Sequence, residues 1–180
     1  MKKFKILLMA CLLVATGSAS ALPITGSLGF SGSYTLNGGT SLADTSGINI
    51  TGNTATITGV VDGVFATAGI TAGDTASYSD FILGAPTANL WSIGGFSFDL
   101  TKMIVDFQTS NLLALSGIGI ITSTNSNLDP TLGNWTFTAN SFGGNFTFSS
   151  SAGVPEPTTA MLLGIGLLGF GALRKLRKAA

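Results

Sequence analysis

The chain has 180 residues, with eight basic and eight acidic side chains, one cysteine and no histidine. That inventory excludes Ser-His-Asp and Cys-His catalysis and His-ligated zinc outright. Charge is segregated: Lys2, Lys3 and Lys5 open the chain, Arg174, Lys175, Arg177 and Lys178 close it, and between them Lys102 alone stands against seven aspartates, so no basic surface for nucleic acid exists.

Taken from the N-terminus, Met1-Lys2-Lys3-Phe4-Lys5 is a basic n-region and Ile6 to Ala15 an apolar h-region. Ala19-Ser20-Ala21 places small residues at the two positions a signal peptidase reads, Ala19 and Ala21. Residues 1–21 thus read as a signal peptide for the export translocon, cut after Ala21. Leu8-Met9-Ala10-Cys11 is a rival, resembling a lipobox that would put a lipid on Cys11. On the preferred reading the exported chain has no cysteine, hence no disulfide, thiolate nucleophile or cysteine metal site.

Leu22 to Gly153 carries one positive and seven negative side chains, a net of minus six. Its 132 residues suffice for one core, and ten phenylalanines, two tryptophans and two tyrosines argue against disorder. The apolar residues alternate with period two: Leu28, Phe30, Tyr34 and Leu36; Phe96, Phe98 and Leu100; Trp135 and Phe137; Phe146 and Phe148. Their neighbours are mostly Ser, Thr, Gly, Asn or Asp, as in strands with one wet face, and no helical stripe appears. Further strand-sized runs lie at Ile48 to Ile50, Thr54 to Val61, Met103 to Phe107 and Ile118 to Ile121, which gives roughly eight or nine strands. Asn37-Gly38-Gly39, Ala72-Gly73-Asp74, Gly94-Gly95, Asp129-Pro130 and Gly143-Gly144 supply turns. Asn134 to Thr138 and Asn145 to Ser149 look like the arms of a hairpin. The expectation is an all-β domain over residues 22–148, an antiparallel β-sandwich, with a short β-solenoid as runner-up.

Catalytic candidates are scarce. The only glutamate is Glu156, so acid–base work would fall to aspartates, and nothing in the spacing pairs any two of them. Asp44-Thr45-Ser46-Gly47 resembles an Asp-Thr-Gly triplet with an extra residue and reads as a turn. Asp62-Gly63 and Gly73-Asp74 lack the alternating acidic spacing of a calcium loop. Gly117-Ile118-Gly119 lacks the following glycine and helix of a nucleotide loop. No catalytic residue, metal site or cofactor is assigned. Thr54-Ala55-Thr56-Ile57-Thr58 aligns three threonines on one strand face, the chemistry of an ice-binding surface or of an ordinary wet face. Trp91 and Trp135 would stack on sugars if exposed and otherwise belong to the core.

After a Ser/Gly spacer at residues 149–153 comes Val154-Pro155-Glu156-Pro157, whose prolines bar a helix until Thr158. Thr158 to Leu173 is 16 apolar and glycine-rich residues, about 24 Å as a helix. A hydrocarbon core is about 30 Å thick, and snorkelling basic side chains make up the difference. Arg174, Lys175, Arg177 and Lys178 would anchor the cytoplasmic end of this single C-terminal transmembrane helix, leaving Pro155-Glu156-Pro157 on the far side. A plain membrane anchor reads the same way.

Residues 154–180, a Pro-Glu-Pro motif, a short apolar helix and a basic end in that order, resemble the PEP-CTERM sorting signal. The same tail is also labelled an ice-binding protein C-terminal domain, a label for the tail only. The resemblance implies export across the inner membrane of a Gram-negative bacterium, transient anchoring there, and processing by an exosortase near Pro-Glu-Pro. Signal peptidase and exosortase are then the implied partners, with exopolysaccharide or biofilm as the associated material and a cell-surface or extracellular destination. The expectation is a non-enzymatic surface or extracellular-matrix protein without a cofactor. The alternative is a carbohydrate-binding, less readily ice-binding, adhesin-like module exported by the same route.

Overall fold

Strict alternation is clearest in the last strand, where Thr131, Gly133, Trp135, Phe137 and Ala139 are buried and every residue between them is exposed. The same rule organises the whole computed structural model, which describes residues 21–140. Its strands are β1 (Leu22–Pro23), β2 (Gly29–Ser31), β3 (Tyr34–Asn37), β4 (Gly47–Ile50), β5 (Thr54–Thr58), β6 (Thr75–Tyr78), β7 (Phe81–Ile82), β8 (Thr87–Ile93), β9 (Phe96–Gln108), β10 (Leu112–Ser123), β11 (Leu128–Asp129) and β12 (Thr131–Asn140). One short α-helix, α1 (Gly63–Thr67), follows β5, and a 3-10 turn over Thr51–Asn53 precedes that strand.

Seven strands form one antiparallel sheet in the order β12-β10-β9-β8-β6-β5-β2. A second antiparallel sheet has the order β3-β4-β7, and β1 pairs with β11 in parallel. The large sheet is curled into a half-barrel. Two register shifts between β9 and β10 account for much of the bend. Thr101 and Asp106 each fall between consecutive paired residues of β9, so two residues there oppose one on β10, and such bulges bend a strand and raise its twist.

The inner face is aromatic. Trp91, Trp135, Tyr78, Phe30, Phe65, Phe98 and Phe137 are all fully buried. Trp91 stacks on Phe98 with centroids 5.8 Å apart, and Phe30 meets Tyr78 edge-on at 5.6 Å. Gly119 and Gly133 are register partners, and a Cβ at Gly119 would collide with the Phe98 ring and the Asp99 carbonyl. Gly117 likewise leaves room for Leu100 and Trp135. The Gly-Ile-Gly of β10 is therefore a bed for large rings on the core side of the sheet.

The small sheet covers one end of this face. Phe81 of β7 packs edge-on against Trp135 and Phe137 at 5.6 and 5.2 Å. Tyr34 of β3 meets Phe137, and its hydroxyl donates to the Asn140 carbonyl at 2.7 Å. The Gln108 amide donates to the carbonyls of Leu42 and Thr45, holding the β3–β4 loop in place. At the other end α1 inserts Phe65 between Phe96 and Trp91.

The expected antiparallel strands are present with almost no helix, but in place of the expected β-sandwich the dominant sheet curls into a half-barrel. Several boundaries differ. Val60 and Val61 fall outside β5, and Phe96 to Phe107 runs as one strand rather than two. Strands β1, β6, β7, β8 and β11 and helix α1 lie outside the expected runs. The expected second hairpin arm, residues 145–149, lies outside the described residues, as do the expected signal peptide up to Ser20 and the expected transmembrane helix. Among the described residues no helix is long and apolar enough to cross a membrane.

Candidate functional site

The aspartates are the first place to look for chemistry, and the fold uses six of the seven carboxylates to hold loops and bulges. Asp44 closes the β3–β4 loop by accepting from the N–H groups of Thr40 and Ser41, at 3.0 and 2.7 Å, and from both hydroxyls. Those bonds, led by the Thr40 N–H, hold its carboxyl down at about 2. Asp62 accepts from the Ser27 N–H, Asp74 from Thr71, Asp80 from the Ile50 N–H at 2.7 Å and Asp99 from the Asn89 N–H at 2.6 Å. Asp106, at the second bulge, accepts from the Ser116 hydroxyl at 3.0 Å. Asp129 takes part through its backbone carbonyl, which accepts from the Thr131 hydroxyl. No group of three or more metal-ligating side chains occurs among the described residues.

Both tryptophans are core residues, at 0 and 1 % exposure, so neither presents a face to a sugar. The Trp135 indole N–H donates to the Tyr78 hydroxyl at 2.7 Å. Burial pushes that hydroxyl well above its ordinary value, and the bond from Trp135 offsets only part of the rise.

The threonines of β5 behave differently. Thr54 and Thr56 are exposed and Thr58 is half-buried, while Ala55 and Ile57 between them are buried. Register carries this hydroxyl face across the sheet: Thr54 is opposite Ser77, Ser77 opposite Ser92, Ser92 opposite Ser97, and Ser97 opposite Thr122. A second row joins Ser31, Thr56 and Thr75. Neighbouring strands lie about 4.8 Å apart, so the longer row places five hydroxyl side chains at near-regular intervals over five strands. The sequence pattern shows only the β5 part, because the others belong to four separate strands that register alone aligns. Within the row the Ser97 and Thr122 hydroxyls are bonded to each other at 2.8 Å.

Two open hollows accompany these faces. One, of about 320 Å³, lies over β9, β10 and β12 beside Lys102, Ile104, Ser116, Ile118, Asn134 and Thr136. The other, of about 360 Å³, lies beside Asn37, Asp80 to Ile82 and Ala85 to Ala88.

Of the processing residues, only Ala21 is described. It immediately precedes β1, whose Leu22 N–H donates to the Asn127 carbonyl at 3.0 Å. Ala19, Val154, Pro155, Glu156, Pro157, Arg174, Lys175, Arg177 and Lys178 lie outside the described residues.

A family model, the PEP-CTERM protein-sorting motif, matches residues 153–178. The match spans the Pro-Glu-Pro element, the apolar run and the basic end. Such a motif implies export and exosortase-dependent sorting to the cell surface. No curated protein and no solved structure matches the chain.

Proposed function

We propose that this PEP-CTERM sorting domain-containing protein is a non-enzymatic cell-surface or matrix protein, cut by signal peptidase after Ala21 and by an exosortase near Pro155. The observation that carries the reading is the match at residues 153–178. The domain between the two processing sites serves as a stable body that associates with exopolysaccharide. Its aspartates support the non-enzymatic part: a hydrolase needs a group titrating near its working pH, whereas Asp44 is held far below neutrality by the bonds that make it a loop clamp.

Mass spectrometry of the exported product tests the processing. An N-terminus at Leu22 and loss of the tail from near Pro155 are expected, and Glu156→Ala should leave uncut precursor in the inner membrane. A product that retains Arg174 to Lys178 would leave only a plain membrane anchor. The non-enzymatic part fails if replacing any one aspartate by asparagine abolishes a measurable polysaccharide cleavage while the melting curve is unchanged.

The hydroxyl rows favour a second reading, a carbohydrate-binding module exported by the same route. Ordered hydroxyls donate and accept, as sugar hydroxyls do. Binding of the exported product to neutral polysaccharide that is lost on replacing Thr54, Thr56 and Ser77 together by alanine would support it.

A further inference from the structure

The outer face of the half-barrel is divided in two. The longer hydroxyl row runs from β5 to Ser97 of β9 and Thr122 of β10, whereas further along β9 and β10 the exposed side chains include Ile104, Phe107, Leu112 and Ile118. Of the nine large hydrophobic side chains exposed among the described residues, six lie on β9, β10 and β12; register puts Val105 on the side of the buried Leu115, which leaves Ile104, Phe107, Leu112, Ile118 and Leu132 facing outward. Phe107 is 53 % exposed and Leu132 63 %. Ile104, Phe107, Leu112 and Ile118 stand on the adjacent strands β9 and β10, and exposed large apolar side chains grouped in this way mark a contact surface.

The charges around the patch name the partner. Lys102, Ile104 and Asp106 follow one another at alternate positions of β9 and are all exposed. Lys102 is opposite Ile118 and Ile104 opposite Ser116. The bulge at Asp106 keeps its carboxylate on this same outer side, where the Ser116 hydroxyl reaches it, and turns Phe107 outward beyond it, opposite Ala114. Lys102 is the one basic side chain of the described residues, set against seven aspartates. Two copies of so acidic a domain repel one another over most of their surface. They attract only where Lys102 of one meets a carboxylate of the other.

We propose that this face joins two copies of the chain through a two-fold contact centred on Ile104. The axis lays Ile104 against its own copy and sets each Lys102 opposite the other copy's Asp106, because the two charges flank Ile104 about equally, at about 7 Å on either side. A patch with one cation and one anion on either side of an apolar centre is self-complementary, as an isologous interface requires. Phe107 and Ile118 supply apolar area, and the two ion pairs set register more than affinity. Contact between two convex faces is narrow, so the dimer is weak and concentration-dependent. The proposal is independent of the processing steps.

Sedimentation velocity on the native exported product, from micromolar to millimolar concentration, tests it. The wild type should shift reversibly from monomer to dimer. Lys102→Asp and Asp106→Lys should each weaken association about tenfold or more, and an equimolar mixture of the two variants should recover it, because both pairs are then matched again. A wild type that stays monomeric throughout, or a mixture that associates no better than either variant alone, overturns the proposal.

Discussion

Asp44 shows how a single carboxylate can be committed to structure. Four donor groups of Thr40 and Ser41 converge on it, and they favour its charged form, which is why its carboxyl titrates at about 2 instead of 3.8. A carboxyl depressed on folding stabilises the native state above its unfolded value and loses that contribution as pH falls towards the folded one. Asp44→Ala should therefore melt below the wild type at neutral pH, with the gap closing between about pH 4 and about pH 2 as the wild type loses the same bonds. Thermal melts across that range check it, and a gap that persists unchanged at the acid end would mean that the loop is not held by the charge. The turn was legible in Asp44-Thr45-Ser46-Gly47. Its clamp was not, because the donors lie upstream at Thr40 and Ser41, beyond any motif centred on the aspartate. Gly117 and Gly119 are the converse case: the sequence excludes a nucleotide loop there, yet only the fold reveals the Phe98 and Trp135 rings that need the space.

At the scale of elements, legibility follows the number of large side chains. In β12 the alternation is complete, and Trp135 and Phe137 point inward as the pattern requires. Strand β6 offers only Ala76 and Tyr78 to the core, and α1 is a single turn and a half with one buried ring, too short to show a helical stripe. Bulges are harder still. Met103 to Phe107 reads as one apolar strand, but the extra residue at Asp106 changes the side on which Phe107 emerges, and no local pattern announces that change. Phe137 lies where three elements meet, against Phe81, Tyr34 and Trp135. Phe137→Ala should cost about 3–5 kcal/mol, read as a lowered urea midpoint with an unchanged slope. A cost near zero would place the small sheet elsewhere than over β12.

For the whole molecule, one core unites both sheets and the helix, so the exported product should unfold in a single cooperative transition by circular dichroism. Reductant should leave its midpoint unchanged, because no cysteine occurs after residue 11; a reductant-sensitive midpoint would contradict the assignment of stability to packing alone. The segregated charge and the sorting tail were legible from the N- and C-terminal segments themselves. The rows of side chains on the outer face were not, because they depend on which strands lie side by side.

The pairing of β1 with β11 joins Leu22 to Leu128 and Pro23 to Asp129. Two further bonds span the same interval: the Ile24 N–H to the Thr131 hydroxyl and the Tyr34 hydroxyl to the Asn140 carbonyl. All three bind the beginning of the domain to its end across more than one hundred residues. A chain that crosses a membrane N-terminus first meets this requirement as a delay. β2 and β5 can pair early, but β1 has no partner until residues 128 and 129 have emerged. Contacts so distant in sequence form late, so the leading end stays open to chaperones and proteases until nearly the whole domain is across. The first residues of the domain are thus the last to be sealed, once residues 128–140 are free to fold back on them.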